Sequence, residues 1–528
     1  MARSTQADEL RPVNPATLEP VGSVPVSAPE EVAEAVADAR LAAERWAGSS
    51  FGERRALLAR VASELLDAAD EIASTVTAET GKPLVESYTA ELFVALDNLV
   101  WAAANAGRVL SPEPVRFGQP HLRHKRGVLL YEPLGVIAVI SPWNFPFGIA
   151  LSQAAFAVAA GNAVVIKPSE VTPLSGAWVQ RVFREAGAPK RLVQVVQGGP
   201  AAGEALVRAP GTAKVVFTGS AETGRGVASL AGERLRPVTL ELGGKDPMLV
   251  FEDADLDRAV AGALWGSFAN CGQVCSGVER IYVARPLQET FVEELTRRGR
   301  GLRIGRGEEL ETDLGPLISE AQRAHVEELV ADAVRRGAEL RLGGGRPEVG
   351  LPGWFHEPTV LTGVEREARV QREEIFGPVV TVTPFADEDE AVRLANGSSF
   401  GLGASVWTRD MERARRLARR LDAGSVWTND VSYSYGAGQA SWGGTKESGF
   451  GRTHSKHGLY ELSRVKFADL DRGRSPVMWW YPYDERLLEG FRGLAGLLYR
   501  DGLVGKAQAA WQHRGGLLSL GRRYLWGR

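Results

Sequence analysis

The sequence predicts an α/β protein with a doubly wound sheet followed by a second α/β domain. Three observations predict it. Between Gly135 and Gly243, short Val- and Ile-rich runs alternate with apolar runs of helix length, and "NAVVIKP", "LVQVVQG", "AKVVFTG" and "PVTLELGG" read as strands. Strands apolar throughout fit parallel sheets covered on both faces. A second alternating set follows it, and 528 residues are enough for two or more domains.

Ahead of the first set, "PEEVAEAVADARLAAERWA" and "FGERRALLARVASELLDAADEIASTVTAET" read as two amphipathic helices with capping residues before them. The first set opens unusually. From Pro133 to Ile166 there is no charged side chain. Length alone makes this a membrane-span candidate. Pro142 and Pro146 argue against that, because proline breaks a helix, and Gly161 with Asn162 interrupts the run again. "GVIAVIS" reads as a buried strand, "IALSQAAFAVAA" as a buried helix and "NAVVIKP" as the next strand. The turn carrying Asn144 then lies at the carboxyl end of a parallel strand, where open α/β sheets place their ligands.

The second set runs through "DPMLVF", a helix around Ala259–Ala269, "ERIYV", a helix at Pro286–Arg300, "VVTVTPFA", "LGASVWT" and "GSVWTND". Near Arg472 the composition changes. From there to Arg528 ten Lys and Arg face four Asp and Glu, with Trp479, Trp480, Tyr481, Tyr483, Trp511, Tyr524 and Trp526 among them. "ERLLEGFRGLAGLLYR" is amphipathic, and no apolar run there can span a bilayer. Two readings of this segment are equally open. It contacts a membrane surface as a monotopic anchor, or it packs on the protein's own body or on a neighbouring subunit.

Bulk composition bounds the function classes. Hydrophobic residues at 44% and charged residues at 24% are ordinary for a globular chain. A net charge of −3 and a pI near 6.3 give no reason to expect nucleic acid. "MARSTQADELRP" has no apolar core of a signal peptide, and Cys271 and Cys275 are the only cysteines, so a reducing, cytoplasmic setting is expected. Metal-ligand spacings are absent and the seven histidines are scattered, so no metal is expected.

Both cysteines lie in "FANCGQVCSG", between a helix and the strand "ERIYV". A free cysteine is usually a small buried hydrophobe, the default for Cys271. Cys275 sits in a Gly-containing loop that can present a thiol to a cleft. Together with "PWNFP", "KPSE", "FTGSAETG", "LELGGKDP", "EEIFGPV" and "GGTKESGFGR", in that family's order and spacing, this segment resembles the NAD(P)-dependent aldehyde dehydrogenase superfamily from about Val13 to Lys466. Motifs of this kind are weak singly and strong in ordered sets.

The resemblance implies an aldehyde dehydrogenase with Rossmann-like domains and carries roles onto matching positions. Cys275 matches the nucleophile, which forms a thiohemiacetal and then a thioester. Asn144 matches the amide that stabilises the oxyanion with the Cys275 backbone N–H. Glu241 matches the base that activates water to hydrolyse the thioester, and its presence favours a free acid over acyl transfer to coenzyme A. Gly219, Ser220 and Gly224 match the turn where a pyrophosphate meets a helix N-terminus. Lys167, Ser169 and Glu170 match the adenosine-ribose site, where a carboxylate favours NAD and leaves NADP open. Leu242, Glu374 and Phe376 match the nicotinamide site. Trp143 is placed by the pyrophosphate, although a lone tryptophan is more often core.

The family architecture implies a cofactor domain at 1–112 and 133–243 and a catalytic domain at 244–443. An oligomerisation element at 113–132 and 459–468 is implied too, with a homodimer or homotetramer, followed by the extension at 472–528. Two positions depart from many relatives: Gln153 stands where a lysine is common, and Thr453 where some have a second glutamate. Cys271 with Cys275 also raises a regulatory disulfide. The expected substrate is a medium- or long-chain or aromatic aldehyde. The alternatives are a small semialdehyde such as succinic semialdehyde, and a catalytically silent scaffold or membrane-binding protein.

Overall fold

The computed structural model describes residues 9–122, 124–473 and 477–526, so parts of the extension, with the side chain of Trp526, lie outside the described residues. The chain divides into two compact units, one of 1–110 with 132–464 and one of 111–131 with 465–528.

The first unit holds two large sheets, as the alternating pattern predicts. In the first, Val136–Ile140 is central. Ala163–Lys167 and Val193–Val195 follow in parallel on one side, Thr212–Thr218 and Val238–Glu241 on the other. The direction of winding therefore reverses between Val136–Ile140 and Thr212–Thr218, leaving a crevice at their carboxyl ends. Gly449–Phe450, far along the chain, adds an antiparallel edge to Val238–Glu241. All of Val136–Ile140, Ala163–Lys167 and the helix Gly148–Ala159 is buried, which explains the charge-free run as core rather than membrane.

In the second sheet Asp246–Val250 lies between Val278–Ala284 and Gly403–Trp407. Val379–Phe385 and Thr359–Thr362 extend it on one side and Ser425–Thr428 on the other, all parallel. Glu339–Leu342 closes one edge antiparallel. Sequence patterning did not single out Glu339–Leu342 or Thr359–Thr362. Both are four residues long and Glu339–Leu342 is largely exposed, so little alternation survives to be read.

Two expectations change in detail. The second amphipathic segment is two helices, Phe51–Asp67 and Ala69–Thr80, separated by the non-helical Ala68 (φ −100°, ψ 10°). The break lets each helix bury its own apolar row, Leu57, Leu58, Val61 and Leu65 in one, Ile72, Ala73 and Val76 in the other. Ser50 caps the first with a reciprocal Glu53 bond, as expected. The helix Pro29–Trp46 has no side-chain cap at Ala28 and instead starts on proline. A three-stranded sheet does form from Glu113–Val115, Gly127–Pro133 and Ser463–Asp469, with Gly127–Pro133 in the middle. Residues 459–462 are not strand, because the helix Ser455–Glu461 runs into them. In the second unit the extension folds as three helices, Glu485–Tyr499, Gly502–Gln512 and Arg514–Trp526.

Candidate active site

The crevice of the first sheet opens into a cleft of about 280 Å³. Pro142, Trp143 and Asn144 enter it from the end of Val136–Ile140, Thr218, Gly219 and Ser220 from the end of Thr212–Thr218. Glu241, Leu242 and Gly243 come from the neighbouring strand end. Cys275 and the segment Glu374–Phe376 come from the second sheet. Nine of the residues singled out in the sequence therefore line one cleft. Lys167, Ser169, Glu170 and Gly224 do not. Lys167 pairs with Glu170 at 3.1 Å at the next strand end. Gly224 packs where any Cβ would overlap the Leu242 side chain, so glycine lets its helix sit close to that strand end.

The loop before Cys275 needs unusual backbone. Asn270, Cys271 and Gly272 adopt φ of 50°, 55° and 70° in succession. Only glycine suits the last, because a Cβ there would overlap the Gly377 carbonyl. Amides then lock the loop to the Asn144 turn. Asn144 Nδ2 donates to Gln273 O at 3.1 Å, and Asn270 Nδ2 donates to Asn144 O at 3.1 Å. Gln273 Oε1 accepts from Ile318 N at 2.8 Å.

Below the turn lies a fully buried cation. Lys82 Nζ donates to Asn144 O at 2.6 Å and to Glu91 Oε1 at 2.9 Å, and it sits 4.1 Å from the centroid of Phe145. Glu91 Oε2 accepts from Phe147 N and Gly148 N. Lys82 and Glu91 thus hold both ends of the Asn144–Gly148 turn. Sequence reading did not single out either residue, nor Gln322 and His325, which line the cleft. Gln322 Nε2 donates to the carbonyls of Ile375 and Phe376, and His325 Nε2 lies 3.3 Å from Glu374 O. On the other side Glu279, paired with Lys245 at 2.6 Å, accepts from Ile375 N and Phe376 N. The only signal for these was polarity at positions whose partners are distant in sequence.

The cleft is dry at its base. Glu241 is 3% exposed and its Oε1 has no hydrogen-bond partner among the described residues. Burial raises its pKa to about 8, against the opposing influence of the Trp442 indole and Arg452. Burial likewise raises Glu374 and Asp246 to about 8. The Cys275 thiol is pushed well up by burial, then by Glu241, Asp246 and Glu374, so it rests protonated. Cys271 is buried in the core of the second sheet, and both cysteines are free thiols. Gln153 and Thr453, the two departures, line one small cavity with Arg452 and His454.

Cys275 also lines a second cavity of about 280 Å³. Aromatic rings dominate its wall: Phe145, Trp265, Tyr433, Tyr435 and Trp442. Glu86 is the one charged residue on it among the described residues. Burial raises the Glu86 carboxyl to about 7.

The first cleft fits a dinucleotide. Ser220 caps the helix Ala221–Gly232, whose unpaired N–H groups favour a pyrophosphate. Glu374 Oε1 accepts from Gly244 N at 2.9 Å, and its carboxylate lies against Gly243 on the wall of the cleft, where it would accept from sugar hydroxyls. Trp143 and Phe376 meet edge to face at 5.3 Å, forming an apolar wall for a planar ring.

Known proteins share this sequence and fold. Residues 2–468 match the model of the aldehyde dehydrogenase family. A betaine aldehyde dehydrogenase of Rhizobium etli is 40% identical over 453 residues, covering 86% of this chain and 92% of that protein. An NAD-dependent aldehyde dehydrogenase structure from Sinorhizobium meliloti superposes with a TM-score of 0.86 at 37% identity, covering 90% of this chain and 93% of that one. An NADP-dependent enzyme of E. coli gives 0.84 at 36% identity, covering 88% and 95%. The chain belongs to the aldehyde dehydrogenase family and is an NAD(P)-dependent oxidoreductase acting on aldehydes.

Proposed function

We propose that the chain oxidises apolar-bodied aldehydes, medium- to long-chain or aromatic, to free carboxylic acids. One observation carries the proposal: Cys275 lies on both the dinucleotide cleft and the aromatic pocket. An aldehyde held by the pocket presents its carbon to Sγ, with the cleft on the other side.

The thiol proton passes to solvent water as sulfur bonds to the carbonyl carbon, and the carbonyl oxygen becomes an oxyanion. Asn144 Nδ2 spends one hydrogen on Gln273 O and has a second for that oxyanion, beside the Cys275 N–H. Residues of the cleft, among them Ser220, Glu374 and Phe376, would hold NAD or NADP, which when bound would supply the hydride acceptor that turns the Cys275 adduct into a thioester. Glu241 takes a proton from water, the resulting hydroxide attacks the thioester carbon, and the acid departs as the thiolate reforms. A carboxyl with a pKa near 8 suits this work, since general bases act best near the operating pH. Glu170, at the next strand end and paired with Lys167, would hold the adenosine ribose as the family resemblance implies and would repel a 2′-phosphate, which favours NAD.

A second reading has a specific observation behind it. Aromatic faces with one carboxylate, Glu86, also suit a cationic aldehyde such as betaine aldehyde, the substrate named for several relatives. Succinic semialdehyde is disfavoured, because no arginine or lysine lines the pocket among the described residues. The same proposal includes a cytoplasmic homodimer or homotetramer built through the three-stranded sheet, and a peripheral membrane contact of the extension.

Purified enzyme offered NAD or NADP with octanal, benzaldehyde, betaine aldehyde and succinic semialdehyde tests the reading. Turnover led by octanal or benzaldehyde, giving free acid and abolished by Cys275→Ala, is expected. A clear preference for betaine aldehyde would replace the apolar reading with the cationic one.

A further inference from the structure

We propose that the three C-terminal helices form a docking surface for a bilayer bearing anionic lipids, lying in the headgroup plane. This deepens the membrane reading above and stands apart from the catalytic chemistry. The family match ends at residue 468, so these helices lie beyond the catalytic fold.

The helices already have an inner core of their own. Met478, Leu487 and Leu520 are buried together, packed by Trp479, Phe491 and Tyr524. Gly490, Gly493 and Gly496 lie one turn apart on Glu485–Tyr499. A Cβ at Gly490 or Gly493 would press on Arg514–Trp526, and one at Gly496 on Ala509 of Gly502–Gln512. Close packing therefore uses the glycine face, and the outer faces are not needed for folding.

Those outer faces carry large apolar side chains with basic ones among them. On Glu485–Tyr499, Leu488, Arg492, Ala495 and Tyr499 recur at spacings of one helical face and are all exposed. On Arg514–Trp526, Arg514, Leu518, Arg522 and Leu525 do the same. On Gly502–Gln512, Leu503 is 87% and Trp511 72% exposed, with Arg514 4.6 Å from the Trp511 ring centroid. Arg523 donates to the carbonyls of Trp480 and Pro482, fixing a loop from which Trp480, Tyr481 and Tyr483 project into solvent.

Exposed tryptophan, tyrosine and leucine interleaved with arginine is the composition that settles at a lipid headgroup boundary. Arginine stems cover apolar surface while their heads reach phosphate. Protein interfaces deplete charge from their centres, which this surface does not do. The helices have 15, 11 and 13 residues, and no helix among the described residues is long and apolar enough to cross a membrane. Contact in the plane of the surface is the geometry that remains.

Flotation of the full-length enzyme with vesicles of phosphatidylcholine alone, or with phosphatidylglycerol added, tests this. Binding to the anionic vesicles is expected, weakening as salt rises. Arg492→Gln with Arg522→Gln should cut it by about 30-fold, at roughly fivefold per basic side chain lost. Leu503→Ser with Trp511→Ser should also release the protein, and aldehyde turnover in solution should not change in either variant. Equal recovery with and without phosphatidylglycerol would overturn the proposal. So would variants that dissociate an oligomer without altering flotation, because the surface would then belong to a second copy of the chain.

Discussion

Lys82 should act on catalysis only through Asn144, and a mutant cycle can show it. Lys82→Met removes the ammonium that bonds Asn144 O at 2.6 Å and Glu91 at 2.9 Å. Glu91 keeps its two backbone donors but loses its counter-charge in a fully buried site. Breaking such a pair costs about 3–5 kcal/mol of stability. Adding Glu91→Gln removes the unpaired charge and should restore much of that loss. Catalysis should not recover with it, because the turn is still unclamped. Misplacing an aligned group by about 1 Å costs on the order of 10²-fold. Asn144→Ala removes the donor outright and should cost about 10²–10³ in kcat. If Lys82 works by placing Asn144, then Lys82→Met should add almost nothing in the Asn144→Ala background. The assay is single-turnover nicotinamide reduction in all four variants, with thermal unfolding alongside. Rate losses that multiply across the cycle would refute the positioning role and leave Lys82 a stability residue.

Three further predictions follow from the site. Glu241→Gln should retain a burst of one reduced nicotinamide per site and then stall as a thioester, visible by intact mass. In the native enzyme the steady rate should climb with pH through about 8 as Glu241 ionises, a limb the variant lacks. Glu86 loses its proton near pH 7, so kcat/KM for a cationic aldehyde should rise through that pH while that for benzaldehyde stays flat. Glu86→Gln should level the two profiles. Gly243→Ala puts a methyl group where the Glu374 carboxylate lies, so the KM for NAD should rise by about tenfold, the worth of one lost charge-assisted hydrogen bond, with unfolding temperature unchanged.

The alternation of apolar runs was enough to read most parallel strands of both large sheets, since buried strands leave few polar residues to blur the pattern, but not the short Glu339–Leu342 and Thr359–Thr362. The Asn144 turn was legible for the same reason: two prolines and an amide stand out in a charge-free run. Lys82 was not legible. It is 62 residues from Asn144, and in the sequence it is one lysine after a glycine. Glu279 and Gln322 are similar, because their work is to accept from or donate to the backbone of a segment 53 or more residues away. In the extension, composition showed the basic and aromatic character. That Gly490, Gly493 and Gly496 form the packing face, leaving Trp480, Tyr481, Tyr483 and Trp511 outside, depends on how three helices meet.

The raised carboxyls and the raised thiol have one cause, and it makes the choice of an amide at position 144 intelligible. Burial pushes Glu241, Glu374 and Asp246 to about 8 and holds Cys275 protonated. In such a site a permanent cation facing Sγ would bind the carboxylates and lock them ionised. On the proposed mechanism a neutral donor would stabilise the oxyanion without disturbing those groups, and low polarity would strengthen its hydrogen bond. The cation that fixes the donor is kept behind the turn, neutralised by Glu91 and touching only the carbonyl of Asn144. The same burial would delay hydrolysis on this mechanism until Glu241 has lost its proton and can take one from water. Thiol protonation, oxyanion binding and thioester lifetime would then all follow from one buried pocket, built where the first sheet reverses its winding.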